Sequence, residues 1–271
     1  MQLKISGVIM KNSIRNIFAI FKKEMLSFFV SPVAYIVITG FVLMSAYFFY
    51  NFLAYYDLIL QQYAAMPYKM GDQGVPGLNE FVIARFYYTL MVILVFLIPV
   101  LTMRLVAEEK RTGTFEMLAI SPLSITEIVL GKFLGVTAIL AIMLGLVFLF
   151  PLFLYFQSEM EFWPMLLGLL GLLLYALAFA SIGMAISAFT NNQVVAAVGS
   201  MVTLLLLYMI NSPAESVGGT LGEFLRYLSP AEQAVDLLLG VIETKSLIYF
   251  TSLILTGIFL SNRALEAQRW R

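Results

Sequence analysis

RLVAEEKRTGTFEMLAISPLSITEIVLGK, residues Arg104–Lys132, lies between two long apolar runs, and its reading decides how the rest of the chain is placed. It holds four basic and four acidic residues, a quarter of the charge of the whole chain, with the densest ionised run at Glu108-Glu109-Lys110-Arg111. Outward from it the sequence turns apolar. Of 271 residues 61% are hydrophobic, and mean hydropathy is +0.94. Charged residues make up 12%, against about 25% in ordinary soluble domains. A soluble core of this size would need roughly twice that charged surface, so the composition specifies an all-α polytopic membrane protein.

The chain has no Cys and no His, which removes disulfides, thiolate or imidazole metal sites, and Cys–His or Ser–His catalysis. Its formal net charge of zero gives no sign of a nucleic-acid partner. The first apolar run begins only after thirty residues carrying five Lys/Arg and is too long for a signal-peptide core. The first span is therefore expected to stay in the membrane.

Six segments are long and apolar enough to be spans: Val33–Tyr50, Phe86–Met103, Phe133–Phe156, Pro164–Ser187, Val194–Ile210 and Leu247–Ser261. None contains a charged residue. An even number puts both termini on one side. The N-terminus, the second and fourth loops and the C-terminus together carry twelve of the sixteen Lys/Arg, so that side is expected to be cytoplasmic, with Arg104–Lys132 on it.

In the N-terminal arm, residues 12–31, Ile14, Ile17, Phe18, Phe21, Met25 and Phe28 recur at helical spacing, with Arg15, Asn16, Lys22, Lys23 and Ser27 on the other side. This pattern predicts an amphipathic helix along the cytoplasmic headgroups of the bilayer, its lysines near anionic lipid. The alternative is a stop-transfer flank that only sets topology. Ser31-Pro32 ends the helix. The first outer loop, Asn51–Arg85, is tyrosine-rich (Tyr55, Tyr56, Tyr63, Tyr68) and broken by Pro67, Gly71, Gly74, Pro76 and Gly77. It reads as an interfacial hairpin or short helix followed by a turn.

Within Arg104–Lys132, Thr112-Gly113-Thr114 interrupts a helix leaving the second span. Phe115–Ile120 forms a further short helical piece, and Ser121-Pro122 stops it. Ser124-Ile125-Thr126-Glu127 is a capping box that starts the third long helix. From Ile125 to Phe156 that helix would be about 48 Å long, more than a hydrocarbon layer of about 30 Å, so it is expected to project into the cytoplasm or tilt. Glu159 and Glu161 mark a short outer link, and Thr190–Gln193 a tight polar turn. Pro99 and Pro151 are expected to bend their helices. In residues 211–245, Gly218-Gly219 precedes an amphipathic piece, Leu221–Leu228. Ser229-Pro230-Ala231-Glu232 then reads as N-cap, N1 proline and N3 glutamate of a helix running to Gly240. These two short helices either fold back into the outer leaflet or lie flat on it.

Ion-coupled carriers usually keep ionisable groups within their spans, and here there are none. No G-x-x-x-x-G-K-[ST] phosphate loop occurs either; Gly131-Lys132-Phe133 lacks both the hydroxyl and the upstream glycine. Energy for transport would then have to arrive from another polypeptide, and Arg104–Lys132 offers it charges for register and Phe115, Met117, Leu118 and Ile120 as apolar anchors. The plain alternative is a positive-inside loop with ordinary capping. Small residues at four-residue spacing (Gly131/Gly135, Ala176/Ala180, Gly183/Ser187) would allow close helix contact within the chain or across a dimer.

The stretch resembles the signature of ABC-2-type permeases, in which a glutamate–basic pair, a Gly-Thr, a glutamate, an S-P and a terminal G-K recur between the second and third spans. Here they are Glu109-Lys110-Arg111, Gly113-Thr114, Glu116, Ser121-Pro122 and Gly131-Lys132. The FKKEMLSFFVSPVAYI stretch (Phe21–Ile36), LSPAEQ at Leu228–Gln233, GVIE from Gly240 and the closing Arg269-Trp270 are similar to the gliding-motility-associated subgroup. That subgroup often carries a His after S-P-x-E, where this chain has Gln233-Ala234.

The resemblance implies a permease that dimerises or pairs with a related subunit in a bacterial cytoplasmic membrane and binds two ABC ATPase subunits, which hold the ATP and Mg. It also implies re-entrant helices in the fifth loop and, commonly, an accessory membrane-anchored subunit with an extracytoplasmic domain. Glu108, Glu109, Arg111, Gly113, Thr114, Glu116 and Leu118 would form the surface coupled to the ATPase, with Lys22, Lys23 and Glu24 as secondary contacts. The rivals are a self-contained secondary carrier and a membrane scaffold for a machine such as a motility complex.

Overall fold

The computed structural model describes residues 2–65, 77–115, 117, 121, 123–158, 160–210, 212 and 219–269, and every regular element among them is helical. In chain order these are α1 (Gln2–Val30), α2 (Pro32–Ala65), a π-helical turn (Asn79–Ala84) feeding α3 (Arg85–Thr102), α4 (Ala107–Arg111), α5 (Ile125–Tyr155), α6 (Phe162–Phe189), α7 (Gln193–Met209), α8 (Gly219–Leu228), α9 (Pro230–Leu238) and α10 (Thr244–Arg269). The expectations placed on Pro67, Tyr68, Gly71, Gly74, Pro76, Glu116, Leu118–Ile120, Pro122, Glu159, Gly218 and Trp270 lie outside the described residues.

Local chemistry sets the helix boundaries. Ser31 alone separates α1 from α2, because Pro32 disfavours helical backbone at the residue before it. The capping box at the start of α5 is fully formed: Ser124 Oγ accepts from Glu127 N at 3.2 Å, and Ser124 N donates to Glu127 Oε2 at 3.1 Å. Asn192 Oδ1 caps α7, accepting from Val194 N at 2.8 Å, and Ser229 Oγ caps α9, accepting from Glu232 N at 3.3 Å.

Among the described residues five helical segments are long and apolar enough to cross a membrane: Pro32–Ala65, Asn79–Arg111, Ile125–Tyr155, Phe162–Phe189 and Thr244–Gln268. The stretch expected as a fifth span is the shorter apolar helix α7, 17 residues. The tyrosine-rich loop differs from expectation. Nothing in it breaks the helix before Ala65, so α2 runs on for 34 residues, about 51 Å. Tyr55 and Tyr56 sit on that extension with ring centroids 5.7 and 5.6 Å from Phe81, over which Arg85 stacks at 3.9 Å.

Contacts between helices give the topology. Phe49 of α2 meets Phe86 of α3 and Phe150 of α5 at 5.0 and 5.8 Å, while Ala34 and Leu101 line one small cavity at the opposite end. α2 is thus antiparallel to α3. Tyr87 donates to Met165 O at 2.9 Å, and Thr102 abuts Gly183, so α3 and α6 run parallel. Tyr175 faces Phe250 and Ser181 abuts Gly257, which makes α10 parallel to α6 as well. Within their most apolar windows 61% and 56% of residues are buried in α3 and α6, against 22% in α2 and α10, so α3 and α6 form the centre.

Glycines bring neighbours onto α6. A Cβ at Gly168 would lie 2.7 Å from the Tyr87 ring, and one at Gly171 would lie 2.6 Å from Leu237 of α9. α9 therefore packs antiparallel along the first three turns of α6, ending where Gly240, at φ +84°, turns against Pro164. Among apolar helices in lipid, such close van der Waals packing supplies the contact energy that water exclusion supplies elsewhere. Gly171→Leu is expected to lower the thermal unfolding midpoint of the detergent-solubilised chain, since overpacking costs about 1–3 kcal/mol. Gly145→Leu, which has open space at its Cβ, is expected not to lower it.

Candidate functional site

One end of the bundle gathers α1, α4, the start of α5, the end of α6 and the last turns of α10. Asn16 of α1 donates to Glu127 Oε2 at 3.2 Å, and Asn262 of α10 donates to Thr126 Oγ1 at 3.2 Å, so both terminal segments meet the first turn of α5.

The helix leaving the second span was expected to run unbroken to Thr112. Instead α3 stops at Thr102, whose hydroxyl donates back to Ile98 O at 2.9 Å, and a turn at residues 103–106 leads into α4. The cause lies on α6. Ser187 Oγ accepts from Val106 N and Ala107 N at 3.3 and 3.1 Å and donates to Met103 O at 3.2 Å. A hydroxyl from another helix thereby takes over the backbone donors at the start of α4. The Lys110 ammonium donates to the Ala188 carbonyl in the last turn of α6, where the helix dipole favours a cation.

Thr112-Gly113-Thr114 closes the far end. Gly113, at φ +73°, takes the left-handed turn, Thr112 Oγ1 donates to Glu108 O at 2.9 Å, and Thr114 Oγ1 donates to Glu109 O at 3.3 Å. Arg104 ties the base of this tip to the α1–α2 junction, donating to Glu108 Oε2 at 2.9 Å and to Ser31 Oγ at 2.7 Å.

At the centre lies Lys132, 1% exposed. Its Nζ stands 2.7 Å from Glu24 Oε1 and 2.8 Å from Glu109 Oε2, and Glu109 Oε1 in turn accepts from Lys23 Nζ at 2.8 Å. Three helices, α1, α4 and α5, are joined by these four charges. Around them α1 and α5 run parallel in one register: Asn16 meets Glu127, Ile20 meets Gly131, and Glu24 meets Gly135. A Cβ on Gly131 or Gly135 would come within 2.6 or 2.7 Å of α1 side chains. Two small-residue pairs noted in the sequence are thus engaged inside the chain, Gly131/Gly135 by α1 and Gly183/Ser187 by α3 and α4.

Of the residues expected to face a partner, Arg111, Gly113 and Thr114 are exposed at the tip, Met117 beyond them is 76% exposed, and Lys22 is exposed on α1. Glu108 is half-buried under Arg104. Glu24 and Glu109 point inward onto Lys132, and Lys23 is bound to Glu109. Glu116 and Leu118 lie outside the described residues. Lys132, Arg104, Asn16 and Ser187 were not among the expected site residues. The only local hint of the first was its place between Gly131 and Gly135.

A model of ABC-2 family transporter proteins matches residues 58–261. The chain belongs to that family. No curated protein matches it significantly. As an ABC-2 family member it is a membrane transport component and not itself catalytic, and the family generally works with an ABC ATPase subunit. The matched stretch begins within α2 and includes α4, the tip and Lys132, whereas Lys23 and Glu24 precede it.

Replacing Ser187 with Ala would leave the Val106 and Ala107 amides without their partner, at a cost of about 1–3 kcal/mol. Hydrogen–deuterium exchange of the segment around Ala107 is expected to rise markedly in Ser187→Ala, with exchange in the middle of α6 unchanged.

Proposed function

We propose that this chain is the permease subunit of an ABC exporter, driven by ATP hydrolysis on a separate cytoplasmic ATPase that docks at the tip formed by α4, residues 112–115 and Met117. The observation that carries this reading is the construction of the tip. Its outer surface is exposed, with the charge of Arg111 beside the apolar side chain of Met117, while its base is fastened to α1, α5 and α6 at once. A plain topology-setting loop needs no such fastening. ATP and Mg belong to the partner.

The chain crosses the membrane six times in this reading, α7 being the fifth crossing in chain order and α10 the last. At about 26 Å α7 falls within the lower range of spanning helices, and the meeting of α1 and α10 at one end requires an even count. The Lys/Arg distribution supports a cytoplasmic placing of that end, and the family resemblance supports a bacterial inner membrane. The hairpin of α8 and α9 is re-entrant. Leu237 lies against Gly171, nine residues or about 14 Å along α6 from its outer end, and the Tyr249 hydroxyl donates to Leu228 O at the hairpin's turn. Two copies, or this chain and a related one, pair to bind two ATPase subunits, with an accessory extracytoplasmic subunit as in the gliding-motility-like subgroup. That pairing rests on the resemblance alone.

The test is co-reconstitution with the partner ABC ATPase in liposomes. Arg111→Glu combined with Met117→Asp is expected to abolish the stimulation of ATP hydrolysis by the permease while insertion and the unfolding midpoint stay as in the parent. Undiminished stimulation would remove the tip as the docking surface.

A further inference from the structure

The four charges around Lys132 divide into two neutral pairs, and the division follows the packing. Glu24 and Lys132 are both buried, and their helices touch through Gly131 and Gly135, so closely that a methyl group at either glycine would collide with α1. α4 is placed otherwise. It packs on α6 and α7, through the Ser187 hydroxyl and the Lys110–Ala188 bond, and its tie to α5 is the Glu109 carboxylate on Lys132. The second cation on Glu109 is Lys23, whose side chain is 53% exposed and free to follow α4 on a long flexible stem.

We infer that Lys132 is a positioning residue for coupling, the seat from which the α4 tip lifts and to which it returns, while α1 stays fixed on α5. This deepens the proposed permease function and rests on it. The physical reason is charge balance around a lysine that is closed off from bulk solvent. Removing one partner of a buried ion pair is costly because the other is left as an uncompensated charge. When Glu109 leaves Lys132, however, Glu24 still neutralises the lysine, and Lys23 still neutralises Glu109. The joint can open without stranding a charge. If the lysine had Glu109 as its sole counter-ion, the same movement would leave a bare buried ammonium, and the tip would be welded in place. Lys132 therefore sets where α4 rests without fixing it there.

Two measurements test this, and the first needs no ATPase. In the isolated chain in lipid nanodiscs, Lys132→Met is expected to lower the unfolding midpoint or to prevent folding, because Glu24 is left buried without its ion-pair partner. Adding Glu24→Gln is expected to restore it, whereas adding Glu109→Gln is not, since Glu109 keeps Lys23. Rescue by Glu109→Gln as good as that by Glu24→Gln, an unchanged midpoint in Lys132→Met, or no folding in either double variant would overturn the assignment of pairs.

The second uses the natural absence of cysteine to place spin labels at Arg15→Cys with Thr126→Cys, reporting α1 to α5, and at Thr112→Cys with Thr126→Cys, reporting α4 to α5. With the partner ATPase bound, addition of ATP is expected to shift the α4–α5 distance by several ångströms and leave the α1–α5 distance in place. A shift in α1–α5, or none in α4–α5, would overturn the movable seat. Failure of the ATPase to bind at all would count against the docking surface instead, and the first measurement would still decide the pairing.

Discussion

A cation held away from water is the constraint that organises the end of the bundle where α1, α4 and α5 meet. Lys132 sits in the second turn of α5, 1% exposed. An ammonium there is tolerable only if carboxylates meet it, since the desolvation of one ion costs several kcal/mol. Neither carboxylate comes from α5. Glu24 arrives on α1 and Glu109 on α4, so burying the lysine obliges two segments distant in sequence to converge on one turn. Gly131 and Gly135, on either side of it, let α1 come near enough for the Glu24 carboxylate to reach. The parallel register of α1 on α5 and the closeness of the two helices serve that requirement, while the placing of α4 is shared with its bonds to α6.

The rest of the bundle obeys a different solvent. Lipid gives apolar helices little reason to associate by hydrophobicity, so contact depends on small residues and on hydroxyls that satisfy themselves. Ser45, Thr137, Thr203 and Ser261 each donate to the carbonyl one turn back in their own helix, which lets them sit among apolar neighbours without a partner elsewhere. Ser187 differs from these four. Its hydroxyl is turned outward to the start of α4, and there it links the buried centre of the bundle to the tip. Charge is concentrated at the ends and hydroxyls are inward-looking in between, so the polar machinery has few places to be.

What could be read from the sequence was what local chemistry decides. The capping box at Ser124, the N-cap at Ser229, the break at Ser31-Pro32 and the turn at Thr112-Gly113-Thr114 are each made by residues within a few positions of one another, and each stands where expected. The overrun of α2 to Ala65 was hidden because falling hydropathy after Tyr50 marks the edge of a bilayer and not the end of a helix. The stop at Thr102 was hidden because its cause, Ser187, is more than eighty residues away. For the same reason Lys23 and Glu24 read as outward-facing charges. Nothing local to them announces that Glu109 and Lys132 will be adjacent. The family match adds the class of machine but stops short of α1, where half of the ionic joint is carried.

The arrangement bears on how a displacement of the tip would act under the proposed reading. α4 is fastened to the last turn of α6 and rests by one carboxylate on the second turn of α5. Those two helices run in opposite directions and meet the tip at the same end of the bundle. A load on the tip is therefore shared between the end of one and the beginning of the other, and it changes their separation more readily than it moves them together. α6 carries α3, α9 and α10 against it through glycine and hydroxyl contacts, while α5 carries α1. The two groups are not independent, because α5 also packs on α6 and meets α10 through Thr126 and Asn262. The α9 hairpin, seated on Gly168 and Gly171 at the far end of α6, travels with the first. A helix bundle without an ionisable group inside its expected spans has no internal source for such a motion, and the ion pairs between α4 and its neighbours stand where an outside one would be applied.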